Sequence, residues 1–362
     1  MTSGTPLLVD DITEQDSADL PPVVAAAPRP ALAGRWLRVV TLLVLSAAIT
    51  LTMQVWVGGS TIYSPELQER RARLHDMILH NRAQSPHETA TLSVNSTNIR
   101  VGAVYLAEGI HRATGMSVLR AYRLIDTVAL FIALPLVFWL YRRVSSREHA
   151  LLAMLYVGAI LPLTYYLFYF HPWDRPMLVL WILMIACIRD DRPLVLAALL
   201  AVSIVVKFDA LFLPGLYFLV YARRDNLVNV AGRTAGLFAV TFGTYTALRL
   251  IFPGGSAVGD TLWQIKTNFA HMAEFNVGYP PMLGLALPVL LALIGWRHAD
   301  RFARASAVFA AGLACIYFVN SNFVELRAEM PVLLLILPAA LAGLRVLLPS
   351  PTLVAARADA RV

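Results

Sequence analysis

The sequence predicts an all-α fold, a polytopic transmembrane bundle of about ten spans, and three observations carry that prediction. Hydrophobic residues make up 58% of 362 positions against 15% charged, gathered in long blocks instead of the mixed pattern of a soluble core. Arginines recur in alternate gaps between those blocks. Several blocks are shorter than the ~20 residues that cross a ~30 Å hydrocarbon layer, and they end in polar turns.

Taken in order, residues 1–34 are acidic and then rich in Pro and Ala, the composition of a disordered cytoplasmic tail, and residues 350–362 read as a second tail. The membrane domain is expected over 35–349. Its apolar runs fall at residues 36–57, 119–141, 150–170, 176–188, 193–206, 210–221, 230–252, 281–296, 303–319 and 331–348. The first starts far from the terminus and lacks a small-residue cleavage site, so it is expected to stay as a span. With the N-terminus inside, the even-numbered gaps hold Arg142, Arg143 and Arg147; Arg189 and Arg192; Arg223 and Arg224; and Arg297, Arg301 and Arg304. Short basic loops of this kind stay in the cytoplasm, which puts both termini there. One long tilted helix over 194–221 would place Arg223 and Arg224 outside and invert every later loop. A tight hairpin turning at Lys207 keeps the pattern.

The outward face then collects the long 58–118 loop and four shorter segments. Ser64, Pro65 and Glu66 make a helix start, and the helix toward Asn81 sets Leu67, Leu74, Met77 and Ile78 apart from its arginines, as for a helix lying in the interface. A second helix is expected over Val101–Thr114. Arg123 and Asp126, three apart, can share a helix face as a self-neutralising pair or as ligand contacts. Asp260, Lys266, His271 and Glu274 read as a solvated face, and the N-S-T at Asn95 carries little weight as a glycosylation signal in so Ala-, Leu- and Arg-rich a chain, a composition that suggests a bacterium.

The net charge of +7 is nearly all arginine, since only Lys207 and Lys266 are lysines. A basic excess in a membrane chain marks cytoplasmic loops and anionic lipid headgroups, so no nucleic-acid partner is inferred. Cys187 and Cys315 lie in apolar runs and give neither a disulfide framework nor a metal site, and the histidines lack metal-ligand spacing; a divalent ion stays open.

The chemistry concentrates between 170 and 214. Charged groups at the ends of spans too short for the bilayer are costly unless they face protein or a water-filled cavity, which singles out His171, Asp174, Arg175, Lys207 and Asp209. Asp174, fixed between Pro172 and Pro176, reads either as a general base raised toward the working range by a dry setting, or as an N-cap beneath an interfacial Trp173. Lys207 either snorkels outward or offers a compact ammonium to a phosphate. Glu325, Arg327 and Glu329 precede the last span on the same side.

These features resemble the GT-C type of polytopic membrane glycosyltransferase. The resemblance rests on the long first external loop with its surface helix, on short membrane-embedded helices ending in polar turns, on K-F-D-A-L-F-L-P at 207–214, and on F-V-E-L-R before a Pro-started final span. It implies transfer of a sugar from a polyprenyl-phosphate donor to a glycan or lipid acceptor at the outer face of the bacterial inner membrane. Family members place a catalytic carboxylate in the first external loop. Here that loop offers Glu66, Glu69, Asp76 and Glu88 without an adjacent pair, and Asp190–Asp191 falls on the cytoplasmic side. The resemblance implies Glu66 or Asp174 as base, Lys207 and Arg327 facing phosphate, and His171, Arg175, Asp209 and Glu325 lining the substrate. The alternative is a transporter, or a flippase or polymerase of lipid-linked glycans; no internal repeat is visible, and the polar groups gather at one face instead of the midplane.

Overall fold

The computed structural model describes residues 32–58, 65–80, 100–168, 171–252, 264–321, 323 and 325–348. Most of both predicted tails, Glu88, Asn95 and Asp260 lie outside the described residues. The chain divides into two units, Met1–Thr41 and Leu42–Val362, and all packing below belongs to the second.

Among the described residues the structure is all-helical. In chain order the helices are α1 (Leu32–Gly58), α2 (Pro65–Leu79), α3 (Val101–Thr114), α4 (Val118–Tyr141), α5 (Arg147–Ile160), α6 (Asp174–Arg189), α7 (Pro193–Val206), α8 (Pro214–Tyr221), α9 (Leu227–Ile251), α10 (Ile265–Ala273), α11 (Phe275–Gly295), α12 (Arg301–Asn320) and α13 (Leu326–Leu347). Tighter 3-10 turns extend α5 through Leu161–Phe168 and precede α8 at Phe208–Phe212. The described parts of all ten apolar runs lie mainly on helices. Six stretches, Trp36–Trp56, Val118–Tyr141, Arg147–Tyr165, Leu227–Ile251, Arg301–Asn320 and Leu326–Leu347, are long and apolar enough to cross a membrane. This is the architecture of a helical membrane bundle.

The α7–α8 segment is a hairpin. Lys207, at the end of α7, reaches Asp174 at the start of α6, while the Tyr221 hydroxyl at the end of α8 donates to the Ile188 carbonyl near the end of α6, 2.6 Å away. The chain therefore turns back at Lys207, as the arginine pattern requires. The basic connections gather at the end of the unit away from Lys207: Arg143 pairs with Asp190, Arg233 lies 3.6 Å from Asp191, and Arg301 donates to the Ala222 carbonyl.

The core is centred on α13, buried at every position from Glu329 to Gly343. Three prolines inside helices show how it is held. A proline lacks the N–H that would close on the carbonyl four residues back, so that carbonyl needs another donor in an apolar interior. Pro338 frees Leu334 O, which accepts from the Tyr141 hydroxyl at 2.7 Å; Pro135 frees Phe131 O, which accepts from Ser46 Oγ at 2.7 Å. Pro288 frees Gly284 O, and the Tyr156 hydroxyl bridges it, at 3.3 Å, with Leu283 O at 2.8 Å. Each kink becomes an interhelical tie. Helices α11 and α13 also touch backbone to backbone at Gly295 and Gly343, where a Cβ on Gly343 would meet the Leu291 carbonyl oxygen.

Candidate functional site

Two helix faces frame a cavity at the Lys207 end. On α6, Asp174, Met177, Leu178 and Trp181 follow the i, i+3, i+4, i+7 spacing of one face; on α13, Arg327, Met330 and Pro331 follow i, i+3, i+4. Lys207 and Asp209 close the seam, leaving about 10 Å³, room for a single water. The local sequence explains the placement. Lys207 is extended (φ −166°, ψ 130°) and ends α7, its N–H still closing on Ser203 O at 2.7 Å, and the turn that follows brings Asp209 alongside.

Asp174 is the hub. Its side chain is 3% exposed; Oδ1 lies 3.2 Å from Lys207 Nζ, Oδ2 accepts from Arg327 Nη1 at 3.1 Å, and Arg175 Nη1 stands 3.9 Å away. Lys207 also reaches Asp209 Oδ2 at 2.7 Å, and Arg327 also pairs with Glu325. The sequence offered three plain accounts here, and none describes the geometry. Trp173, not Asp174, stands at the N-cap of α6 and is buried to 1% exposure instead of sitting at an interface, and Lys207 does not snorkel but is 12% exposed inside the ion network. For a base, the arrangement has a consequence. A cation stands against each oxygen with which Asp174 would take a proton, Arg327 hydrogen-bonded to Oδ2 and Lys207 close to Oδ1 without a hydrogen bond.

Behind Asp174 lies a second, fully enclosed layer. Asp126 is 0% exposed, accepts from Gln54 Nε2 at 2.9 Å and from the Tyr165 hydroxyl at 2.5 Å, and stands 3.8 Å from Arg175 Nε. Arg175 donates to Thr164 Oγ1 at 2.7 Å and stacks 4.0 Å from the Tyr165 ring. Asp126 thus turns inward to Arg175 while Arg123 is exposed, so the two do not form the self-contained surface pair that their spacing allowed.

His171 packs 5.1 Å from the Trp173 ring. Burial, with Arg327 adding to it, pushes its imidazole well below its ordinary value, so it stands neutral beside the cations at pH 7. Glu66 is exposed in the first turn of α2, and among the described residues no ion pair or hydrogen bond joins it to the Asp174 network. Asp190 and Asp191 lie at the opposite end, and Lys266 and Glu274 are exposed on and beside α10.

Two site residues escaped the sequence reading. Arg100, just before α3, lies 5.0 Å over the Trp173 ring and 5.4 Å over Phe208, within the field of Asp209 and Asp174. Its separation from Asp174 along the chain hid it. Glu329 was placed with Glu325 and Arg327 before the last span, but its setting was not foreseen: it is 0% exposed and neither oxygen has a hydrogen-bond partner among the described residues. No group of three or more His, Cys, Asp or Glu among the described residues is placed to hold a metal ion.

Comparison of the chain with protein-family models, with characterised proteins and with solved structures finds no match. Fold and site together define a helical membrane bundle with a buried, charge-balanced cavity at the end opposite its basic connections.

Proposed function

We propose that the protein is a membrane glycosyltransferase of the GT-C type, a bundle of about ten spans that moves a sugar from a polyprenyl-phosphate donor to an envelope glycan or lipid at the extracytoplasmic face. The observation that carries this reading is the Asp174–Lys207–Arg327 cluster, at the end away from the arginine-rich connections. Under the positive-inside rule that end faces outward, and both termini are cytoplasmic. A lipid donor presents its phosphate at the interface while its tail stays in the bilayer, matching a cation pair set at helix ends, Lys207 closing the short α7 and Arg327 opening α13.

In this mechanism the donor phosphate takes Lys207 and Arg327 from Asp174 by offering them charge-assisted hydrogen bonds of its own. Asp174 is thereby released, accepts the proton of the acceptor hydroxyl, and the acceptor oxygen attacks the sugar carbon as its bond to the lipid phosphate breaks. The two cations hold the departing phosphate. Neutral His171 positions sugar or phosphate, Asp209 and Glu325 hold the cations between turnovers, and Arg175 fixes Asp174 from behind. Glu66 is kept as the alternative base, supplied from the first external loop.

The test compares surface glycans and lipid-linked sugars in cells lacking the gene, with wild-type, Asp174→Asn and Lys207→Met copies restored. One glycan that disappears and returns only with the wild-type copy, while both variants remain in the membrane, supports the transferase and names its linkage. Unchanged glycans, or full rescue by both variants, bring the transporter or flippase to the front. Transfer that survives loss of both Glu66 and Asp174 sinks the base assignment.

A further inference from the structure

Among the described residues, the cavity between α6 and α13 is lined by a buried donor and two buried acceptors that make no hydrogen bond: the Trp181 indole N–H, and Oδ1 of Asp174 and of Asp209. The indole N–H of Trp181, on a side chain 1% exposed, has no acceptor among the described residues. Asp209 Oδ1, on a side chain 9% exposed, has no donor, its other oxygen being engaged by Lys207. A buried donor left unmet costs about 1–3 kcal/mol, and so does a buried acceptor. Asp174 Oδ1 already faces Lys207 Nζ at 3.2 Å, so the seam offers a ligand the Trp181 donor and the Asp209 acceptor beside the Lys207–Arg327 cation pair. A hydroxyl group is the ligand function that answers both at once, since it donates one proton and accepts through its lone pairs.

We propose that Trp181 and Asp209 form a hydroxyl-binding subsite, and that the ligand is a phosphate ester with a free hydroxyl on the carbon next to the one bearing the phosphate. The size of the seam sets that short distance. Only about 10 Å³ is open, so in this proposal the hydroxyl enters while its phosphate stays outside on Lys207 and Arg327, which line the same seam. The seam holds no more than one water, so a hydroxyl seated there displaces the water that would compete for both groups. The inference rests on the phosphate-binding reading given above and deepens it: it selects, among phosphate esters, those with a vicinal hydroxyl.

The experiment is a binding titration of the full chain in detergent with three probes: farnesyl phosphate, farnesyl-phosphoryl-glucose and its 2-deoxyglucose counterpart. Wild-type protein is expected to bind the glucose probe roughly five- to tenfold more tightly than the 2-deoxy probe, the size of one net hydrogen bond. In Trp181→Phe, which keeps an aromatic ring and removes the N–H, that ratio falls to about one. The wild-type ratio is a test by itself, so a variant that fails to fold does not protect the proposal. Farnesyl phosphate binding with no preference between the sugar probes overturns the subsite and leaves the phosphate reading standing. Failure of all three probes to bind overturns both. A preference that persists in Trp181→Phe removes the indole from the subsite.

Discussion

At the scale of single residues, the site is a set of buried charges that satisfy one another, which decides how substitutions behave. Removing one member of a buried pair strands the other, at about 3–5 kcal/mol, whereas replacing the whole set with apolar groups is far less costly. Lys207→Met is therefore expected to lower the melting temperature clearly, because Asp209 loses its cation and Asp174 keeps only its arginines. Adding Asp209→Leu to Lys207→Met should restore part of the loss, and strict additivity in thermal denaturation would contradict the network. Glu329 behaves in the opposite way. As a buried carboxyl without a partner it costs stability where it stands, so Glu329→Leu should raise the melting temperature. If the same variant loses the glycan that the wild-type copy restores, Glu329 is retained for function at the expense of stability. Much of this level was legible in the sequence: Asp174, Lys207, Asp209 and Arg327 all stood out as polar groups at the ends of spans. Arg100 and the isolation of Glu329 did not, because both depend on which distant helices come to lie beside them.

At the scale of elements, the ties at proline kinks and the docking of α2 carry the argument. Tyr141→Phe leaves Leu334 O without its donor in the middle of α13 and should cost about 1–3 kcal/mol, read as a lower melting temperature. The helix α2 is seated by Ile78 against Val101 and Val104 of α3, and by His75 between Glu108 and Tyr122. With Nε2–H donating to the Glu108 carboxylate at 3.3 Å, the neutral ring leaves Nδ1 to accept the Tyr122 hydroxyl at 2.8 Å. Burial holds the imidazole below its ordinary 6.5, partly offset by Glu108. The docked state thus binds fewer protons than the undocked one, so the stability of this joint is fully present above pH ~6.5 and declines as pH falls toward the docked value. Protection factors of the α2 amides, corrected for the intrinsic pH dependence of exchange, should fall between pH 7 and 5.5, and His75→Gln should flatten that dependence. The sequence located α2 and α3 closely, from a helix-start signal and an apolar stripe. It did not reveal the His75 joint, since a lone histidine on a mostly polar helix gives no hint of the tyrosine it meets.

At the scale of the whole molecule, the two ends of the Leu42–Val362 unit divide the charged residues by role. Arginine-rich connections occupy one end and the Asp174 network the other. In a background lacking Cys187 and Cys315, Lys266→Cys should react with a membrane-impermeant maleimide in intact cells, and Arg224→Cys only after permeabilisation. The reverse pattern would turn the proposed orientation over. That division was legible from the arginines alone, as was the turn at Lys207, because charge bias is recorded directly in the sequence. The partnership of α6 with α13 was not. Their facing stripes are ordinary apolar spacing until the fold sets Arg327 against Asp174.

The pairing of Asp174 with Lys207 and Arg327 has one more effect. Each cation in the cavity already holds a carboxylate, so an arriving anion has to displace a tethered competitor whose effective concentration is set by the fold. Such a competitor weakens the grip on any anion that lodges there, and it returns the moment that anion loosens. The cavity is built to let go. Under the proposed sugar transfer, which leaves a spent phosphate after every cycle, the same carboxylates that weaken binding would set the pace of turnover.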